Sequence, residues 1–319
     1  VNYDYDNKYL LSLSIRRDES SKFHKDNRVG YFPSVSAGWN VHQEKWFQNP
    51  VMSKLKIRAS YGELGANFLN PYNFDAIAYG PIPYTVGGER YVTGRAAYLK
   101  SKDLKWETAK TTDIGIELGF FNNDLTLSLD YFVKKNVDLL AQIDLNLSSG
   151  QIFEINSSRE KPYVNTASVK NTGWEFMMNY RKQLTKDFHI DATFNIATLK
   201  NKVLSLGENV QPITSGAMSS YFNDAPSITM PGEAIGSFYG YKIDGFDAEG
   251  NFIFADMDKN GVVNANDKVI LGSPIPDFTY GLNINMEYKD FDLTLFFQGV
   301  QGNDIFNQKK YTYLSLIHI

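Results

Sequence analysis

The feature that most limits what this chain can fold into is a two-residue hydrophobic period that survives a reversal of chain direction. Phe278, Tyr280, Leu282, Ile284, Met286 and Tyr288 alternate with Thr279, Gly281, Asn283, Asn285 and Glu287. After Lys289-Asp290 the pattern resumes as Phe291, Leu293, Leu295 and Phe297, against Asp292, Thr294, Phe296 and Gln298. Successive side chains point to opposite faces only in extended backbone, so this is two strands, each with one apolar face, joined by a very short turn. The same unit recurs upstream. Ile114, Ile116, Leu118 and Phe120 lead through Asn122-Asn123-Asp124 into Leu125, Leu127, Leu129, Tyr131 and Val133, with Asp113, Glu117, Asp130 and Lys134 on the other face. Trp174, Phe176, Met178 and Tyr180 lead through a turn near Gln183 to Asp187 into Phe188, Ile190, Ala192, Phe194 and Ile196. Val1 to Tyr5 and Tyr9 to Ile15 flank Asp6-Asn7-Lys8 in the same way, and further strands are expected around Tyr31 to Val41, Leu55 to Tyr61 and Ala234 to Ile243.

Between these hairpins lie stretches rich in Gly, Pro, Asn and Ser, at about Asp18 to Gly30, Gly65 to Leu104, Lys135 to Ser168, Asn201 to Gly232 and Asp247 to Pro274. Connections this long are uncommon inside compact soluble domains. Tight turns at one end and long loops at the other are the pattern of a membrane barrel, with short periplasmic turns and long extracellular loops. Alternation alone also suits a soluble β protein whose apolar face meets a dry core. Three features favour lipid. The strands exceed the roughly 9 to 11 residues needed to cross a bilayer at a tilt. The turn signals every 8 to 12 residues that mark a sandwich are missing. Aromatic residues sit near both ends of apolar faces, as Phe278/Tyr280 and Tyr288 do, which suits two interfacial girdles. A slightly negative mean hydropathy is no objection, because a barrel strand shows lipid only every second residue.

The fold expected is therefore all-β: a partial antiparallel transmembrane β-barrel of about eleven or twelve strands. Phe 22 and Tyr 20, with frequent Thr, Val and Ile, supply its vocabulary. The formal net charge is −4, from Lys+Arg 32 and Asp+Glu 36, without long single-sign blocks, which argues against a nucleic-acid partner. With no cysteine there is no disulfide framework and no thiolate site. The chain opens Val1-Asn2-Tyr3-Asp4 without a visible targeting signal, the expectation for an internal or C-terminal piece of a longer protein.

Particular segments carry a family resemblance. NRVGYFPSVSAGWNV (Asn27 to Val41), LKIRASYGELG (Leu55 to Gly65) and LKWETAKTTDIGIELGFFNNDLTLSLDYFVKKNVDLL (Leu104 to Leu140) resemble the C-terminal barrel of the SusC/RagA family. So do NTGWEFMMNYRK (Asn171 to Lys182), SFYGYKIDGF (Ser237 to Phe246) and PDFTYGLNINMEYKDFDLTLFFQGVQGNDIFN (Pro276 to Asn307). The resemblance implies a TonB-dependent outer-membrane importer of a Gram-negative bacterium of the Bacteroidetes, with a barrel of about 22 strands and an N-terminal plug. It also implies a SusD-like surface lipoprotein partner, energy from TonB, and oligosaccharides or other large nutrients, glycan or peptide, as cargo. Plug, TonB-contacting segment and early strands have no counterpart in this sequence. On this expectation residues 1–314 form the C-terminal part of the barrel, and residues 315–319, which depart from the family's aromatic ending, are an artefactual tail. The competing expectation is a soluble or surface-displayed β protein with a carbohydrate-binding or adhesive role.

One local motif carries chemistry. Asp256, Asp258, Asn260, Asn264 and Asp267 place side-chain oxygens at positions 1, 3, 5, 9 and 12 of a loop, with the Val262 carbonyl at position 7 and Gly261 at the sharp turn. That is the EF-hand spacing for Ca²⁺, a hard cation that would also relieve repulsion among three carboxylates. It departs from the pattern in having Asp267 where a bidentate Glu is usual and in being flanked by strands. The plain alternative is an Asx-rich polar turn. No cofactor is otherwise expected, and no enzyme: His24, His42, His189 and His318 are scattered, and no nucleophile elbow or phosphate loop occurs. Asp113/Glu117 and Glu175/Asp191 are expected to be solvated lumen residues. The loop aromatics Tyr72, Phe74, Tyr79, Tyr84, Tyr91 and Tyr98 suit stacking on sugar rings or packing the loop on itself.

Overall fold

The structure, a computed structural model, describes residues 1–69, 78–96, 101–142, 154–155, 158–159, 163–207, 210–216 and 225–307. Its main element is one antiparallel meander of ten strands in chain order: β1 (Asn2–Tyr5), β2 (Tyr9–Glu19), β3 (Val29–Asn40), β4 (Met52–Ala66), β5 (Glu107–Phe120), β6 (Leu125–Gln142), β7 (Tyr163–Thr185), β8 (Phe188–Thr198), β9 (Phe278–Tyr288) and β10 (Phe291–Gln301). An eleventh strand of the sheet, Lys200–Ser205, continues β8 past Leu199 and pairs with the outer part of β7. Each strand pairs with the next in sequence, so every connection is a hairpin, the simplest way to build a sheet from the alternating units in the sequence. Residues 315–319 lie outside the described residues.

The registers align the apolar residues into one face. Ile284 sits opposite both Ala192 and Leu295, and Leu282 opposite both Phe194 and Phe297. The row structure continues through Phe176 and Leu129 to Ile116, Ile57 and Trp39. It ends at Leu11 and Tyr9 against Tyr3 and Tyr5. Because the side-chain period is two, a slip of one residue anywhere would put these groups on the polar side, so the pattern itself pins the register. Many of them stand exposed, among them Phe297 at 54% and Leu293 at 51%. The interior clusters among the described residues are small and lie at the loop end: Phe23, Leu69 and Leu104 form one, and Ala167, Val169, Val203 and Leu206 the other.

The two ends of the sheet differ as the sequence predicts. At one end, Asp6 and Asn7 close β1–β2 with positive φ, Phe121, Asn122 and Asn123 close β5–β6 in the same left-handed region, and Lys289 serves β9–β10. Asn and Asp tolerate that conformation at least cost among side-chain-bearing residues. The connection from β3 to β4 is the longest on this side and holds a 3₁₀ turn at Val41–Gln43. At the other end the connections carry their own structure. Ala78–Val86 pairs with Glu89–Ala96 through Gly87-Gly88. Between β8 and β9, Ile213–Ser215, Ser227–Thr229, Ser237–Tyr241 and Lys268–Gly272 form a separate four-stranded sheet. The strand expected around Ala234 to Ile243 belongs to this loop sheet and not to the wall. Its alternation is real, but periodicity names a strand without naming its partner.

Candidate functional site

Three features occupy defined positions on this frame: a charged cluster on the polar face, aromatic girdles on the apolar face, and the candidate cation loop beyond the rim. The polar face takes its chemistry from residues that alternate with the apolar band. Arg58 on β4 is its hub, with Nη1 3.1 Å from Asp113 Oδ1, Nη2 2.6 Å from Asp130 Oδ1 and Nε 3.3 Å from Glu117 Oε1. Lys54 holds the other oxygen of Glu117 at 2.7 Å, and the Ser128 hydroxyl donates to Asp130 Oδ2 at 2.8 Å. A Cβ on Gly115 would lie 1.8 Å from Asp130 Oδ1 and 3.0 Å from Arg58 Nε. Glycine is thus required for the guanidinium and carboxylate to cross that strand. Asp113 and Glu117, expected as solvated lumen groups, belong to this network. The sequence places Asp130 on the polar face without linking it to a partner, and gives no notice of Arg58 and Gly115; the signal was a glycine in the polar phase of β5 facing an aspartate in the polar phase of β6. The second carboxylate pair is not one: Asp191 is held by Arg181, with Nε 2.8 Å and Nη2 2.5 Å from Oδ2, and Glu175 lies apart from both.

Aromatic residues bracket the apolar band. At the tight-turn end, Tyr9 stacks beside Trp39 with centroids 6.3 Å apart, and both direct their polar atoms to Glu44, the Tyr9 hydroxyl at 2.6 Å and the Trp39 Nε1 at 3.1 Å. The hydrogen bond from Tyr9, then that from Trp39, holds the Glu44 carboxyl below its ordinary range. An aromatic body facing lipid with its polar tip bonded outside the apolar band is the behaviour of an interfacial residue. At the loop end Tyr131 packs on Trp174 at 4.8 Å.

The cation loop leads into Lys268–Gly272 of the loop sheet. Carboxylate oxygens of Asp256, Asp258 and Asp267 lie within 4.8 Å of one another. Asp256 accepts the Asn260 N–H at 3.2 Å and the Gly261 N–H at 2.7 Å, while Asp258 Oδ1 accepts the Asn260 N–H at 3.1 Å. Asn260 Oδ1 accepts the Val262 N–H at 2.8 Å. Asp267 is fully buried and accepts from Asn264 N at 2.7 Å, Met257 N at 2.8 Å and Asp258 N at 3.3 Å. It closes a capping box with Asn264 around the 3₁₀ turn Ala265–Asp267. These N–H donors, that of Asn264 first, hold the Asp267 carboxyl below its ordinary range. Lys259 and Gly261 supply the positive φ the loop needs. The structure therefore brings the three predicted carboxylates together. The Val262 carbonyl and Asn264 are engaged with each other, Asn264 Nδ2 donating to Val262 O at 3.1 Å. The donor set is all oxygen and suits Ca²⁺. Of the loop aromatics, Tyr72, Phe74 and Tyr98 lie outside the described residues, as do the side chains of Tyr79 and Tyr84, while Tyr91 stands exposed.

A ten-strand meander with one continuous apolar face, aromatic girdles at both margins, and tight turns opposite elaborated loops defines a wall segment of an outer-membrane-type β-barrel. The chain belongs to the TonB-dependent receptor-like β-barrel family, whose model matches residues 1–316. It is 36% identical over 334 residues to TonB-dependent receptor P3 of Formosa agariphila, a match that covers 99% of this chain and 32% of that protein. It is 31% identical over 329 residues to TonB-dependent receptor SusC of Bacteroides thetaiotaomicron, covering 96% of this chain and 31% of that one. The expected SusC/RagA kinship is borne out. Among solved structures the RagAB peptide transporter shares the fold, with a TM-score of 0.79 at 24% identity over 95% of this chain and 32% of its own. The chain spans about a third of the length of the curated relatives it matches.

Proposed function

We propose that this chain is the C-terminal part of the barrel of a TonB-dependent outer-membrane importer that takes up oligosaccharides, peptides or other large nutrients together with a SusD-like lipoprotein. The observation that carries the reading is the ten-strand apolar band with tight turns on one side and structured loops on the other. The kinship to SusC and the shared fold of the RagAB peptide transporter support it. In this reading the wall and loops shape a conduit and break no bonds. The Arg58 network faces the lumen, and energy from TonB enters through parts of the protein outside this chain. The loop of Asp256, Asp258, Asn260, Val262, Asn264 and Asp267 takes Ca²⁺ and stiffens one extracellular connection near the lipoprotein or cargo. Both oxygens of Asp267 already accept N–H groups, so its share in holding the ion is smaller than that of a bidentate Glu.

Deletion of the full-length gene in its host, followed by growth on a panel of glycans and peptides, tests the import reading. Loss of growth on at least one large nutrient, with the protein recovered in the outer-membrane fraction beside a lipoprotein, is the expected result. Recovery as a soluble protein would refute it.

A further inference from the structure

The registers disclose a feature that no stretch of sequence shows. Lys110 on β5 lies directly opposite Lys135 on β6, Lys135 opposite Lys170 on β7, and Lys170 opposite Lys202 on the continuation of β8. Four lysines from four strands thus stand side by side in one row, and Lys200 lies on the same face one step nearer the band, opposite Thr172. Like charges directly opposite in a sheet repel and destabilise it, so such a row needs counter-charge. Lys110 has Glu63 at 3.2 Å, whereas Lys135, Lys170, Lys200 and Lys202 have no carboxylate partner among the described residues. Of the carboxylates on the neighbouring strand ends, Asp138 is engaged by Lys105 at 3.0 Å and Glu107 by the Leu140 N–H at 2.7 Å.

The row is on the lipid side of the wall. Lys110, Lys135 and Lys170 share the face of Ile114, Tyr131 and Trp174, because they lie an even number of residues from them along the same strands. They lie on the loop side of the girdle made by Tyr131 and Trp174. From Leu125, at the tight-turn margin of β6, to Lys135 is roughly 34 Å along the strand at about 3.4 Å per residue. At a tilt of about 40° that is roughly 26 Å along the membrane normal, close to the height of about 25 Å of a barrel's apolar band. The lysines therefore emerge where the hydrocarbon ends and headgroups begin, with long apolar stems able to lie along the wall.

We propose that this lysine row binds the phosphate groups of phosphorylated lipid headgroups in the outer, loop-side leaflet, and so clamps an anionic lipid to this side of the barrel. The inference rests on the outer-membrane reading. An acidic protein partner fits less well, because the row points sideways into the bilayer margin and not up into the loops.

The test uses the full-length protein, purified in detergent and folded as judged by heat-modifiable gel migration, with diphosphoryl lipid A, dephosphorylated lipid A and inorganic phosphate as probes in native mass spectrometry. The wild type should retain the diphosphoryl form over the dephosphorylated form, and millimolar inorganic phosphate should not displace it. Lys135→Gln/Lys170→Gln/Lys202→Gln should bind it roughly a hundredfold more weakly, about fivefold per lysine, and the corresponding triple arginine variant should keep it. If the triple glutamine variant does not fold, Lys170→Gln alone carries the test with its roughly fivefold loss. Unchanged lipid binding in the glutamine variants overturns the proposal. So does equal affinity for the dephosphorylated form, displacement by inorganic phosphate, or loss of a co-purifying protein in place of the lipid. A protein that fractionates with the outer membrane and imports its nutrient while failing this test refutes the lipid site alone; one absent from that membrane refutes the reading beneath it.

Discussion

Arg58→Met in the full-length protein is the substitution that most directly probes how the polar face is held. It keeps the side-chain bulk and removes the cation that three carboxylates share. Asp130 loses a 2.6 Å contact and Asp113 a 3.1 Å contact, each to its only cationic partner among the described residues, while Glu117 keeps Lys54 at 2.7 Å. Removing one member of a buried ion pair costs about 3–5 kcal/mol, and an exposed pair is worth at most about 1 kcal/mol. The Asp130 side chain is 9% exposed and that of Arg58 37%, which places this pair between the limits, at about 2 kcal/mol. Urea unfolding in detergent or bilayers, followed by tryptophan fluorescence, should show that loss. Adding Asp130→Asn should restore about 1 kcal/mol of it by removing the stranded charge. Gly115→Ala should reproduce part of the loss by pushing the Asp130 carboxylate off the guanidinium. A stability for Arg58→Met within about 0.5 kcal/mol of wild type would refute the claim that the network is a structural unit and leave it as a set of solvated charges.

On the apolar face, Ile284→Lys should destabilise the folded barrel by about 2–4 kcal/mol if that position meets mid-bilayer lipid, while Asn283→Lys next to it should cost far less; equal costs in the same unfolding assay would contradict the face assignment. The Asp267 carboxyl is held below its ordinary range, so its contribution to loop order is complete above the unfolded pKa of about 3.9 and is lost as pH falls through the lower folded value. Protease cleavage within residues 255–267 of the full-length protein should therefore stay low at neutral and mildly acidic pH and rise only below about pH 4. Cleavage that rises already near pH 6 would contradict that. Millimolar Ca²⁺, the range of extracellular modules, should lower cleavage of the same loop, and Asp258→Ala should abolish that protection because Asp258 is an exposed carboxylate of the cluster. Protection that survives the substitution would count against the site.

The wall was legible in the sequence wherever lipid imposes alternation. The strand expected from Trp174 to Tyr180 exists, but it is the central part of one running Tyr163–Thr185. Beyond Trp174 the apolar alternation relaxes into Asn165, Ser168, Lys170 and Thr172 on a backbone still paired to β6 across two register shifts. The stretch from Lys135 to Ser168 therefore reads as loop although much of it is strand. The cation loop was legible because all its members fall within one short segment. The Arg58 network and the lysine row were not, because each draws on three or four strands whose register is fixed only on folding. Asp113 and Asp130 were visible one by one as polar-phase residues; that they meet on Arg58 depends on pairings such as Arg58 with Gly115 and Gly115 with Asp130.

Whether one face of this sheet meets lipid and the other an aqueous lumen can be read residue by residue. The chain contains no cysteine, so single cysteines at 281 to 287 in the full-length protein, reconstituted in bilayers and spin-labelled, can be read one at a time for collision with oxygen and with a water-soluble nickel chelate. A strict two-residue alternation is expected, with oxygen-rich, nickel-poor environments at Leu282, Ile284 and Met286 and the reverse at Asn283 and Asn285. Uniform aqueous accessibility, or alternation that disappears between neighbouring positions, would contradict it.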